Sequence, residues 1–351
     1  MAEFIGINTR WPHFLAEIPI MRIGRILIVL LGLVCAAAVS YWPYASREGP
    51  VEEATAAPSQ QEPGPVPANR GSDVPDGFRG EVHPLLNGHT KLEVKAQWTT
   101  ISKGRDKLDE YVPPPVYALF HDVKPAYPTR IYTERDLSVF LPEKIESVGQ
   151  LWSLDPNKVA AVLRQFQPRP SMHLEAKGRR AGPDGAFGIL RAISSDYLDI
   201  ACRIHTEFNF TPKWFELRPN SPTLWYTPAY LTGRLLVNRK TGTVDYFRLG
   251  LPTDKSLNVH LTVFLPPYGE HHDIVRVEHM ELEGGDSKVA DGTKWDSSLE
   301  VPQAQARLTH EFYKFNDIAW VPTDKALEAA HQRQKPIMAM VTWGSLDDQS
   351  C

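Results

Sequence analysis

A chain of 351 residues with 38 Lys+Arg against 42 Asp+Glu, and a formal net charge of -4, has room for about two domains and gives no global electrostatic case for nucleic acid. Its 30 prolines exceed the average share of about 5% and favour extended and turn segments. The three cysteines, Cys35, Cys202 and Cys351, are too far apart in sequence for a disulfide framework or a Cys-rich zinc module.

Ile26 to Val39 is apolar throughout except for one glycine, and Tyr41-Trp42-Pro43-Tyr44 continue without a charge until Arg47. The apolar run alone is shorter than the ~20 residues that span a bilayer, and the aromatic residues extend it. Met21-Arg22-Ile23-Gly24-Arg25 reads like a signal n-region and offers a second start site, while Ala36-Ala37-Ala38-Val39-Ser40 offers small residues for cleavage. The expectation is an uncleaved signal-anchor over the apolar residues 26–42, within a segment 1–47 whose leading tail is cytosolic. Arg10, Arg22 and Arg25 precede the apolar run and Glu48, Glu52 and Glu53 follow it, which places the body outside the cytosol. That is the endoplasmic reticulum lumen in a eukaryote, and the periplasm or cell surface in a bacterium. Residues 48–79 are rich in Pro, Ala, Glu, Gln and Ser without periodicity, as in a disordered tether.

Residues 80–300 read as a β-rich α+β domain. Leu92, Val94, Ala96 and Trp98 alternate with polar residues, the pattern of a half-buried strand. The proline-rich Val112 to Tyr127 interrupts it. Asp155-Pro156 opens a helix with a capping aspartate and a first-turn proline, and Val159, Val162, Leu163 and Phe166 share one helical face. Arg179 to Gly185 reads as a loop, and Arg203 to Phe208 as a strand beside Cys202, a small buried residue. Leu235 to Val237 and Val244 to Phe247 flank Arg239-Lys240-Thr241-Gly242, a hairpin turn, and Leu257, Val259, Leu261 and Val263 alternate strictly, so the centre is antiparallel sheet. Asn258 and His260 fall on the polar, solvated side of that last strand.

Candidate metal sites are weak. Adjacent side chains of His271-His272-Asp273 on an extended segment point to opposite faces, which does not suit zinc. Asp286 to Glu300 fails the calcium-loop pattern because Lys288 and Ala290 stand where oxygen ligands are needed. No metal or bound cofactor is expected.

Gln303 to Phe315 and Asp324 to Gln334 read as helices, followed by Pro336 to Trp343, an unbroken apolar run that predicts a strand buried on both faces. A polar loop then leads to Cys351. Helix, strand, loop and cysteine in this order open a thioredoxin-like unit, so residues 301–351 are expected to form its N-terminal part. A thiolate is the attacking form of a redox cysteine, and Asp347 and Asp348 oppose it.

Trp343-Gly344-Ser345-Leu346-Asp347-Asp348-Gln349-Ser350-Cys351 resembles the segment of the selenoprotein N family that leads into its Ser-Cys-selenocysteine-Gly motif. Similar motifs occur at Trp225-Tyr226-Thr227-Pro228, Asp245 to Leu249, Lys255 to Val259 and Met280 to Glu283, within Arg203 to Cys351. The resemblance implies a membrane-anchored thiol-disulfide oxidoreductase with a thioredoxin-like fold, acting on protein thiols or disulfides. Ser350 and Cys351 carry over as the catalytic pair, and a selenocysteine would follow Cys351. The selenocysteine codon otherwise means stop, so the expectation is a chain halted at that codon and impaired as given. The alternative is a tethered, non-catalytic β-rich binding or scaffolding protein. The family's calcium-binding motif has no counterpart here.

Overall fold

The computed structural model describes residues 80–81, 91–104, 108–173, 175–176, 179–180, 185–213, 221–339 and 349. They fall in one unit, Pro63–Cys351. The expected signal-anchor at residues 26–42 and the whole of the expected linker, residues 48–79, lie outside the described residues. Among the described residues, no helix is long and apolar enough to cross a membrane.

The strands of the two large sheets begin with β1 (Lys91–Trp98), β2 (Ile101–Gly104), β3 (Thr129–Thr133), β4 (Leu151–Ser153), β5 (Pro170–Ser171), β6 (Gly185–Ile193), β7 (Tyr197–His205) and β8 (Glu207–Asn209). They continue with β9 (Thr223–Pro228), β10 (Leu231–Asn238), β11 (Thr243–Gly250), β12 (Val259–Leu265), β13 (Gly269–Val277), β14 (Met280–Gly285) and β15 (Ser297–Ser298). The helices are α1 (Pro114–His121), α2 (Glu134–Leu137), α3 (Pro156–Leu163), α4 (Ser287–Gly292), α5 (Val301–Phe312) and α6 (Ala326–Arg333). The nine-stranded sheet runs β15-β6-β7-β10-β11-β14-β1-β3, with β4 also on β6, and the six-stranded sheet runs β2-β13-β12-β9-β8-β5. Neighbours in both pair antiparallel. The expected antiparallel, β-rich α+β architecture is what the chain forms.

Local chemistry explains the elements. Val94 and Trp98 of β1 are buried while Leu92 and Ala96 are half-buried, the two-residue period of the sequence. Gly242 sits at φ +68 in the β10–β11 turn, and the Asn238 side chain accepts from the amides of Lys240 and Thr241. Asp155 accepts from the amides of Asn157 and Lys158 to cap α3, whose Val159, Val162 and Leu163, with Phe166 just beyond, enter the core. The stretch read as proline-broken contains α1. Its prolines occupy the first turn, where a missing amide costs nothing, and Tyr117 and Phe120 are buried.

The two sheets share one apolar core. Trp98 meets Phe166, Phe208 and Tyr226 with ring centroids 5.9, 5.9 and 5.1 Å apart, and its indole donates to the Tyr226 hydroxyl at 3.3 Å. The chain crosses between sheets at corners, passing from β7 to β8 at Thr206 and from β9 to β10 at Ala229–Tyr230. Asn258, read as solvated, is buried beside one of these corners. Its side chain donates to the Val277 carbonyl at 2.8 Å and accepts from the Val277 amide at 2.9 Å, and its own carbonyl accepts from Ala229. A corner exposes backbone groups that no ladder satisfies, and a buried amide side chain satisfies them.

The outer face of the larger sheet is covered too. Ala304 and Leu308 of α5 pack on Ile189 and Ala201, and Trp295 and Val289 pack on Leu236 and Tyr246. Residue 300, where a boundary is expected, lies between β15 and α5. Two expectations change. Arg179–Arg180, read as loop, pairs antiparallel with Glu175–Ala176. The strand expected from Pro336 is not formed as far as Ala339: α6 ends at Gln334 in a left-handed conformation, and the residues after it are irregular and exposed, with Met338 at 86%. Their apolar side chains meet no sheet among the described residues. Met340 to Asp348 lies outside the described residues.

Candidate functional site

β7 runs through the middle of the larger sheet, with core on one side and α5 on the other, so all its residues but Tyr197 are buried. Polar side chains there must find partners inside the protein. Arg203, 1% exposed, donates from Nε to His205 Nε2 at 3.2 Å and from a terminal nitrogen to Thr309 Oγ1 of α5 at 2.9 Å. Its guanidinium lies 3.6 Å from the centroid of the Tyr230 ring and 5.8 and 5.9 Å from those of Phe312 and Tyr313. The His205 ring stacks on Phe312 at 3.8 Å and 7°. Aromatic faces thus stand where water would otherwise solvate the cation, an arrangement that stabilises a desolvated guanidinium by about 2 kcal/mol or more.

At the adjoining corner, the Thr206 hydroxyl donates to the Ser171 carbonyl at 2.9 Å. Gln349 docks there, 2% exposed. Its amide nitrogen donates to the Ala229 carbonyl at 3.0 Å, and its side chain donates to the carbonyls of Thr206 at 3.0 Å and Pro228 at 2.8 Å. One residue near the end of the chain therefore bridges the corners of both sheets, beside the strand that carries Arg203 and His205.

Ser350 and Cys351, the expected catalytic pair, lie outside the described residues, directly after Gln349. Cys202 faces the core on β7, and burial pushes its thiol up to about 12, which makes it a poor nucleophile. His272 points to the opposite face of β13 from His271 and Asp273, as alternation requires. His271 stacks on Tyr111, His272 Nδ1 lies 3.1 Å from His260 Nε2, and Asp273 is buried and accepts from the Leu108 amide. Among the described residues, no group of three or more His, Cys, Asp or Glu is arranged to hold a metal ion.

A second polar cluster lies farther along β7. Asp199, fully buried, accepts from Arg191 and from Arg234, whose terminal nitrogen is 2.6 Å away. Arg191 also reaches the Leu299 carbonyl, and its guanidinium lies 5.3 Å from the Trp295 ring centroid. These contacts fasten the segment after α4 to the sheet. Arg203, His205 and Glu207 recur with period two through the stretch Arg203 to Phe208, which reads as a strand. That was the available signal.

Comparison with known proteins then places the chain. It is 27% identical to human selenoprotein N over 64% of its own length and 45% of that protein's. Selenoprotein N from mouse and zebrafish is 26% identical to it in each case. This chain is selenoprotein N-like. The likeness covers more than Arg203 to Cys351, the stretch that holds the motifs, which is under half of the chain. The selenoprotein N-like chain spans about half the length of the curated relatives it matches. No family model matches it, and no solved structure does.

Proposed function

We propose that this selenoprotein N-like chain carries thiol-disulfide exchange at Cys351, on a body tethered to a membrane by the apolar residues 26–42. The observation that carries the reading is the Trp343–Cys351 motif in a chain otherwise similar to selenoprotein N. The docking of Gln349 supports it, because a residue two positions before the cysteine is buried in the folded body. The substrate class is a protein disulfide or thiol, and a thioredoxin-like surround for Cys351 belongs to the same proposal.

The thiolate of Cys351 attacks one sulfur of a substrate disulfide. A mixed disulfide forms, and the substrate's other sulfur leaves as a thiolate. A second thiol or selenol then attacks the substrate's sulfur in the mixed disulfide and returns Cys351 to its thiolate. A small thiol such as glutathione can serve as that group. Ser350 precedes the reacting cysteine in the motif.

The test is to treat the folded protein with an aryl disulfide that releases a coloured thiolate, and to map the product by mass spectrometry. A mixed disulfide on Cys351, absent from Cys351→Ser and reversed by glutathione, is expected. Folded protein that gives no adduct at Cys351 would end the proposal.

A further inference from the structure

We propose that His260 and His272 form a two-histidine clamp for a borderline divalent transition-metal ion such as Zn2+, on the face of the six-stranded sheet turned away from the core. The site is separate from the thiol chemistry described above and rests on none of it.

Strand register builds the pair. Leu261 and Val263 of β12 and Val275 of β13 belong to the core, so the residues that alternate with them face outward. His272 stands opposite Thr262 and His260 opposite Ile274, which makes the two histidines diagonal neighbours on that outer face. Diagonal neighbours on paired strands are about 7–8 Å apart, within reach of aromatic side chains. Here the rings close the gap: His260 Nε2 lies 3.1 Å from His272 Nδ1, with ring centroids 5.2 Å apart and planes tilted by 51°. Thr262 is small and places its hydroxyl 3.3 Å from the same Nδ1. Two imidazole nitrogens at about 2.0–2.1 Å from a tetrahedral zinc stand roughly 3.3–3.4 Å from each other, so the pair has to open by only a few tenths of an ångström.

Glu270 decides which nitrogen of His272 is offered. Its Oε1 lies 3.7 Å from His272 Nε2, and a carboxylate on that side keeps the ring proton at Nε2 and leaves the Nδ1 lone pair towards His260. Glu270 also sets a negative charge close to the cation. Its side chain is 16% exposed against 46% for His272, so the ligand meets solvent while its support is more buried. Farther along the same face, Arg276 donates its guanidinium to the carbonyls of Thr253 and Lys255. Without metal, the short contact between the two rings is a hydrogen bond that shares one proton between two nitrogens. The metal ion takes the place of that proton, which passes through water to His260 Nδ1, so both rings stay neutral. Two side chains are fewer than a closed site of three or more would have. Water therefore completes the shell, the ion is exchangeable, and Cu2+ binds more tightly than Zn2+.

The experiment is a calorimetric titration of the full chain with zinc chloride at neutral pH, in a background of Cys35→Ser and Cys351→Ser that removes competing thiols. One equivalent should bind, and His260→Ala and His272→Ala should each abolish it. Glu270→Gln should weaken binding about tenfold, whereas His331→Ala, on α6, should leave it unchanged. Zn2+ should also raise the urea midpoint, because the ion bridges β12 and β13 only while they are paired, and the rise should vanish in either histidine variant. In the Cu2+-loaded protein, the nitrogen splitting of the electron paramagnetic resonance spectrum should report two imidazoles. No binding at millimolar zinc chloride would overturn the proposal, as would an equivalent that survives in both histidine variants. An equivalent retained by one of the two would mean a single-histidine contact, and the clamp would be overturned by that result as well.

Discussion

The side chain of Gln349 donates to the carbonyl of Thr206 at 3.0 Å, across a separation of more than a hundred residues. The same nitrogen reaches Pro228, so one amide group serves two backbone acceptors at two corners. Gln349→Ala should therefore cost about 1–3 kcal/mol, since two buried carbonyls lose their donor. Gln349→Glu should cost more, because an acceptor would then face acceptors. Urea unfolding of the two variants checks both, and a glutamate variant as stable as wild type would show that Gln349 does not dock as described.

Asp199 lies between two guanidinium groups, one of them in a side chain only 10% exposed. Asp199→Ala would leave Arg191 buried without its carboxylate, a loss of about 3–5 kcal/mol. The predicted signature is a lowered urea midpoint with an unchanged slope. A change below about 1 kcal/mol would mean that water reaches Arg191 readily.

Cys202 and Gly233 stand directly opposite each other on β7 and β10. A Cβ at residue 233 would overlap the Cys202 sulfur and press on Leu249 Cδ1 at 3.2 Å. Gly233→Ala should cost about 1–3 kcal/mol, and Cys202→Ala in the same chain should recover part of it. Neighbouring sites couple in this way, and strictly additive losses would contradict the geometry.

Burial pushes the Tyr132 hydroxyl up to about 12, with the Arg130 charge opposing it. The neutral form is thus favoured on folding. Its contribution, about 2–3 kcal/mol, is complete below about pH 10, the value in the unfolded chain, and is lost as the pH rises towards about 12. Tyr132→Phe should flatten the fall in stability over that window relative to wild type, although Tyr246 and Cys202, also held near 12, keep part of the slope. Parallel stability profiles for the two proteins would contradict this account.

Where one local rule decides the outcome, the sequence could be read directly. Alternation set β1, the Asn238–Gly242 turn set the hairpin, and Asp155 with Pro156 set the start of α3. Corners could not be read, because their chemistry depends on segments distant in sequence. Asn258 looks like a solvated strand residue until Val277 and Ala229 are brought beside it. The buried Arg203 likewise makes sense only once Tyr230, Thr309 and Phe312 surround it. Pro336 to Ala339 form no strand, because hydrophobicity alone does not provide a sheet edge to join.

The placement of β1 also governs when the protein can fold during synthesis. Inside the larger sheet β1 pairs with β3 on one side and with β14, Met280–Gly285, on the other. A ribosome that has just released Trp98 must therefore translate through β13 before that second edge can close. At about 5–20 residues per second, this leaves the early hairpin waiting on the order of ten seconds or more with an open, apolar flank. Over that interval β1 is a natural target for a holding chaperone, and a codon change that slowed translation between β3 and β14 would lengthen its exposure without altering one contact of the finished protein.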